Sequence, residues 1–116
     1  MTSPAGTTPA AGPAGGQETR PHPRHDLDPL LLHGVRFSLL AVVLTAGKVA
    51  FAWLREELQV TDSVLSKQLT ALEEVGYLEV HKVSEGRRAR TWVSATGTGR
   101  EAFARHREAL QAIAGG

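Results

Sequence analysis

Cysteine is absent from the 116 residues, which removes disulfides, thiolate zinc sites, thiol redox switches and cysteine nucleophiles. No apolar run approaches the roughly 20 residues that a bilayer span needs. The longest, Phe37 to Ala46, is flanked closely by Arg36 and Lys48. The first residues also lack a cationic stretch leading into an apolar segment, so no secretory leader is expected. A cytoplasmic chain with no membrane partner is therefore expected. An excess of one charge is missing too: the net charge is +1 and the isoelectric point about 8.3. A case for nucleic acid must rest on where the cations sit, because the total does not announce one.

Catalytic and metal-binding patterns are equally scarce. The paired carboxylates Glu56-Glu57 and Glu73-Glu74 are adjacent in sequence, so on helices they point about 100° apart, with no nucleophile or phosphate-binding glycine loop beside them. They read as solvated helix surface, and no enzymatic activity is expected. His22, His25, His33, His81 and His106 include no pair four residues apart on one helix. No metal site and no cofactor are expected.

What is present is a single domain's worth of patterned chain. Residues 1–25 are rich in Ala, Gly, Pro, Thr and Ser and nearly lack large apolar side chains, so a disordered tail is expected. Residues 26–116 form the candidate domain. Asp28-Pro29 is a helix-start signal, predicting a helix to about Ala46 that is apolar nearly all round and so needs cover on more than one side. Gly47 ends it. Phe51, Leu54 and Leu58 mark a second, shorter helix, and Thr61 can cap a third running to about Val75 with Leu65, Leu69 and Leu72 on one face. Period two takes over from Tyr77 to Val83 and again from Thr91 to Ala95, with Ser84 to Arg90 as a polar hairpin tip. A last helix begins at Thr96 or Thr98 and runs to about Ile113. Trp53 and Trp92 read as packing residues.

Three helices, a hairpin and a helix describe a mainly α fold with a small β-hairpin, the winged helix-turn-helix, in which the second helix of the pair enters the DNA major groove. The face of that helix away from the leucines carries Ser63, Ser66, Lys67 and Thr70, with Thr61 at the helix start and Gln68 at the edge of the leucine face, all able to meet base edges or phosphates. Lys82, Arg87, Arg88 and Arg90 concentrate cations on the hairpin, where they suit a phosphate backbone. Leu31, Leu32, Val35 and Leu39 of the first helix, with Phe103, Leu110 and Ile113 of the last, are candidates for a dimer interface.

The stretches Leu44-Thr45-Ala46-Gly47, Val60 to Leu69, Leu72 to Leu78, Gly86-Arg87-Arg88 and Thr91-Trp92, in that order, resemble small bacterial winged-helix transcriptional regulators of the MarR and ArsR groups. The resemblance spans residues 29–113. It implies a homodimer on double-stranded DNA at a roughly palindromic operator, with Ser63, Ser66, Lys67 and Thr70 in the groove and Arg87, Arg88 and Arg90 on the backbone. An unidentified small-molecule effector would have room only at the dimer interface or beside the first helix. Relatives often start the last helix with Thr-Pro-x-Gly, where this chain has Thr96-Gly97-Thr98-Gly99. A protein-docking winged helix and a nonspecific architectural DNA binder are the rival readings. The three wing arginines favour DNA over docking.

Overall fold

Asp28 does start an ordered element, though a shorter one than expected. In the computed structural model, which describes residues 20–115, Asp28 Oδ1 accepts the Leu30 amide at 3.0 Å and Pro29–Leu32 forms a single 3-10 turn. His33 is extended, and helix α1 runs Gly34–Ala46. The expected continuous helix is thus broken at His33. Arg36 supplies a reason: its Nε donates to the Leu30 carbonyl at 2.7 Å, the oxygen that a continuous helix would have offered to the amide four residues on. Leu31 then turns into the core while Leu32 stays 60% exposed.

The chain reverses at Gly47, whose φ of +87° lies in the left-handed half of backbone space that glycine enters without penalty. Strand β1 follows (Val49–Ala50), too short to leave any period in the sequence. Helix α2 (Phe51–Leu58) and helix α3 (Asp62–Glu74) come next, and Thr61 Oγ1 accepts the Val64 amide at 3.2 Å as the expected N-cap. Strands β2 (Leu78–Glu85) and β3 (Arg88–Ala95) pair antiparallel, β1 pairs on the other edge of β3, and helix α4 (Gly97–Ala114) closes the domain. Leu39, Leu40 and Val43 of α1, Leu54 of α2, Leu65, Leu69 and Leu72 of α3, and Leu78 and Val93 of the sheet make one core.

That core corrects two interface expectations. Leu31 and Leu39 are buried inside the protomer and are not available to a second subunit. Phe103 is largely absorbed as well, its ring stacked on Phe37 with centroids 5.1 Å apart. Trp53, expected to pack, is 44% exposed. The disorder expected of residues 1–25 falls mostly outside the described residues, but Pro23–Asp26 forms a 3-10 turn instead of an unstructured tail.

The junction of α3, β2 and α4 is closed by hydrogen bonds around Tyr77. Its amide donates to Leu72 O at 2.9 Å, its carbonyl accepts the Thr96 amide at 3.1 Å, and its hydroxyl donates to Asp28 Oδ2. Burial, and then the Asp28 carboxylate, push the Tyr77 phenol up to about 12. His106 of α4 completes the cluster, fully buried, with Nδ1 accepting the Asp28 amide at 2.9 Å. Thr96 is the α4 N-cap, its Oγ1 accepting the Gly99 amide and donating to the Gly76 carbonyl. Of the two caps open to the sequence, Thr98 is not used.

Two predictions follow from this junction. A Cβ on Gly99 would overlap the Tyr77 carbonyl oxygen, which is backbone and cannot swing aside, so Gly99→Ala should cost about 3 kcal/mol in denaturant unfolding. Gly97 has open space around a Cβ and stands at the first helical position after an extended Thr96, so Gly97→Pro should stabilise by about 0.5–1 kcal/mol. Separately, desolvation lowers the pKa of His106 against the opposing pull of Asp28. Its ordinary value of about 6.5 holds in the unfolded chain, so its contribution is complete above that pH and is lost as pH falls through the lower folded value. Thermal melts should show Tm falling as pH drops below about 6.5, and His106→Gln should flatten that dependence.

Candidate nucleic-acid interface

Helix α3 presents a continuous polar face because its three leucines spend one side of the helix on the core. Ser63, Ser66, Lys67 and Thr70 are all exposed on the other side, and Thr61 is exposed at the N-cap. Thr70 Oγ1 donates to Ser66 O at 2.9 Å, so its proton is engaged along the helix and its lone pairs face outward. Val64 is also exposed. It adds an apolar contact suited to a thymine methyl, one that a search for polar readers passes over. Asp62, at the first turn of α3, is held at 2.8 Å by Arg55 Nη1 from α2. That pair raises the Arg55 pKa, through the hydrogen bond first and the charge second, and offsets a carboxylate that would otherwise repel phosphate.

Gln68 does not belong to this face. It is only 6% exposed, and its Oε1 accepts from Arg36 Nη1 at 2.9 Å. With Arg36 also holding the Leu30 carbonyl, the pair ties the back of α3 to the segment before α1. Gln68 positions the helix and does not read bases.

The wing is longer and its tip shorter than expected. Pairing continues to Glu85 opposite Arg88, leaving only Gly86 and Arg87 in the turn, with Gly86 at φ +66°. Because side chains alternate across a strand, this register divides the four wing cations. Lys82 and its partner Thr91 share the face of Val80 and Val93 and line an open groove of about 420 Å3 with Ser66, Thr70 and Glu73 of α3. Arg88 and Arg90 lie on the opposite face, paired with Glu85 and Val83, and Arg87 occupies the tip. Arg90 Nε stands 4.0 Å from Glu85 Oε1, both about half exposed, an arrangement weak enough for a phosphate to replace. The α3 face and Lys82 therefore form one contiguous surface, while Arg87 stands at the tip and Arg88 and Arg90 are displayed on the opposite face of the ribbon.

Of the remaining expected interface residues, Leu32, Leu110 and Ile113 are exposed large hydrophobics and Val35 is partly buried. Among the described residues no helix is long and apolar enough to cross a membrane.

Comparison with known proteins agrees with this geometry. Residues 35–114 match a family model described as a winged helix DNA-binding domain. An uncharacterised protein of Methanocaldococcus jannaschii is 36% identical over 69 residues, 60% of this chain and 75% of that protein. Among solved structures, a transcriptional regulator homologue from Pyrococcus horikoshii is 28% identical with a TM-score of 0.69, covering 73% of this chain and 84% of that one. A mutant MarR of Escherichia coli complexed with operator DNA superposes with a TM-score of 0.64 at 20% identity, over 79% of this chain and 66% of that one.

The position of Gln68 yields a test of its own. Gln68→Ala leaves the Arg36 guanidinium without its partner and should cost about 1–3 kcal/mol in stability. The ranking of DNA sequences bound by the folded variant should not change, as read by competition binding below its melting temperature.

Proposed function

This chain belongs to the winged helix DNA-binding domain family; we propose that it is a small regulator related to MarR and binds operator DNA as a homodimer, with α3 in the major groove and the wing cations on phosphates. The observation that carries the reading is the exposed polar face of α3 continuing onto Lys82, with Arg87 at the tip beyond it. Ser63, Ser66, Lys67 and Thr70 supply short donors and acceptors and one long cation. With no bidentate reader left once Gln68 is withdrawn, base discrimination rests on Lys67, the hydroxyls and Val64, and affinity rests on phosphate contacts.

Two copies are supported by the apolar surface left just before α1 and at the end of α4. Leu32 precedes α1 and Leu110 and Ile113 lie in the last turns of α4, all three exposed. Pairing through them would bury that surface and set two α3 helices on half-sites about one DNA turn, roughly 34 Å, apart. The MarR structure with operator DNA is consistent with such a role for this fold. An intracellular location follows from a DNA target. A small-molecule effector, if the chain has one, fits the same subunit boundary or the exposed side of α1.

Capture of sheared genomic DNA on the purified protein at near-physiological salt tests this directly. Fragments sharing an inverted repeat are expected; uniform retention would indicate an architectural binder, and no retention a protein-docking domain. On a captured sequence, Arg87→Ala with Arg88→Ala should weaken binding to all sequences and reduce the slope of log affinity against log salt by about 2. Ser66→Ala or Lys67→Ala should instead change which sequences are preferred. A uniform loss across sequences would assign those side chains to phosphates.

A further inference from the structure

The sheet face turned away from α3 carries an arrangement that base reading by α3 leaves unused. Trp92, on β3, is partly buried, and two cations lie over its indole: Lys48 Nζ at 5.6 Å and Arg90 Cζ at 5.3 Å from the ring centroid. The register explains how both reach it. Ala50 of β1 is opposite Trp92, so Lys48, two residues earlier, comes opposite Ser94 on the base side of the indole. Arg90 sits two residues toward the wing tip on the same face. Lys48 is exposed and, among the described residues, has no carboxylate within ion-pair distance; Arg90 has only the loose contact with Glu85.

Long cationic side chains lose rotamer freedom when they meet a ligand, and a fixed aromatic face that already holds them reduces that loss. Lys48, Arg90 and Arg88 thus form a strip along the outer face of the sheet, two of them oriented by Trp92. We propose that this outer face is a second phosphate-contacting surface, in which Trp92 positions Lys48 and Arg90 against the DNA backbone flanking the segment that α3 reads. The proposal rests on the DNA-binding reading above. It makes Lys48, which lies outside both the α3 face and the hairpin, a direct backbone contact and Trp92 a positioning residue.

Salt dependence on two duplexes separates the possibilities. Both carry a captured sequence; one is about two helical turns long, enough for two half-sites, and the other extends it by about one turn at each end. Lys48→Gln should lower the salt slope by about 0.9 on the longer duplex, the value for one lost phosphate contact, and leave it unchanged on the shorter. Trp92→Leu, which releases Arg90 as well, should lower the slope by at least as much, and Trp92→Phe, which restores an aromatic face, should recover most of it, with all variants matched to wild type by circular dichroism and melting. Equal slopes for wild type and Lys48→Gln on the longer duplex would overturn the proposal while leaving reading by α3 intact. A slope lost with Trp92→Leu but not recovered with Trp92→Phe would overturn the positioning role. If wild type binds neither duplex, the DNA reading itself fails and this surface falls with it.

Discussion

The turn at Gly76-Tyr77 is the constraint on which the rest of the domain hangs. At that point α3 ends, the wing begins and the last helix starts, and one residue's backbone and side chain bond to Leu72, Thr96 and Asp28. The glycines on either side permit it: Gly76 takes φ +79° to finish α3, and Gly99 lets the first turn of α4 approach the Tyr77 carbonyl with no Cβ between. Asp28 and His106 then extend the junction to the N-terminal segment. Since a buried polar group without a partner costs about 1–3 kcal/mol, these mutually satisfied groups specify one arrangement of the helix relative to the wing.

A second brace acts from the other side. Arg36 holds both Leu30 and Gln68, so the inner flank of α3 is bound to the segment preceding α1. Between the two braces α3 is fixed along its length by leucines, at its end by Tyr77 and at its back by Arg36. Its outer side is left free for a ligand. A rigid helix with an open polar face, beside a ribbon whose register sends Lys82 inward and Arg88 and Arg90 outward, suits the proposed contact with two kinds of target, base edges and phosphates.

Much of this was legible in the residues. The α2 and α3 periods, the Thr61 cap, the ends at Gly47 and Gly76 and the paired strands all rest on local rules, and local rules survive folding here. What escaped depends on partners far away in sequence. Gln68, at the edge of the leucine face, looks like a reader by its bidentate amide, and only Arg36, 32 residues away, shows that the amide is engaged inward. The break at His33 comes from a side chain capturing a helix carbonyl, which no period records. Strand β1 has two residues and exists only because β3 lies beside it. The wing's pairing runs on past Val83 through polar residues that are solvated on both faces, so alternation gave no sign of it. The interface expectations divided for the same reason: Leu31 is indistinguishable from Leu32 until the 3-10 turn directs it inward, and Leu39 falls on the core face of α1.

Amide chemical shifts, recorded as a captured DNA duplex is added to isotopically labelled protein, report where the DNA docks. The largest changes are expected at Thr61, Ser63, Ser66, Lys67 and the Lys82 to Arg90 wing, with the buried Leu39 and Leu40 of α1 nearly unmoved. Changes confined to α1 and α4, with α3 and the wing silent, would contradict the proposed docking.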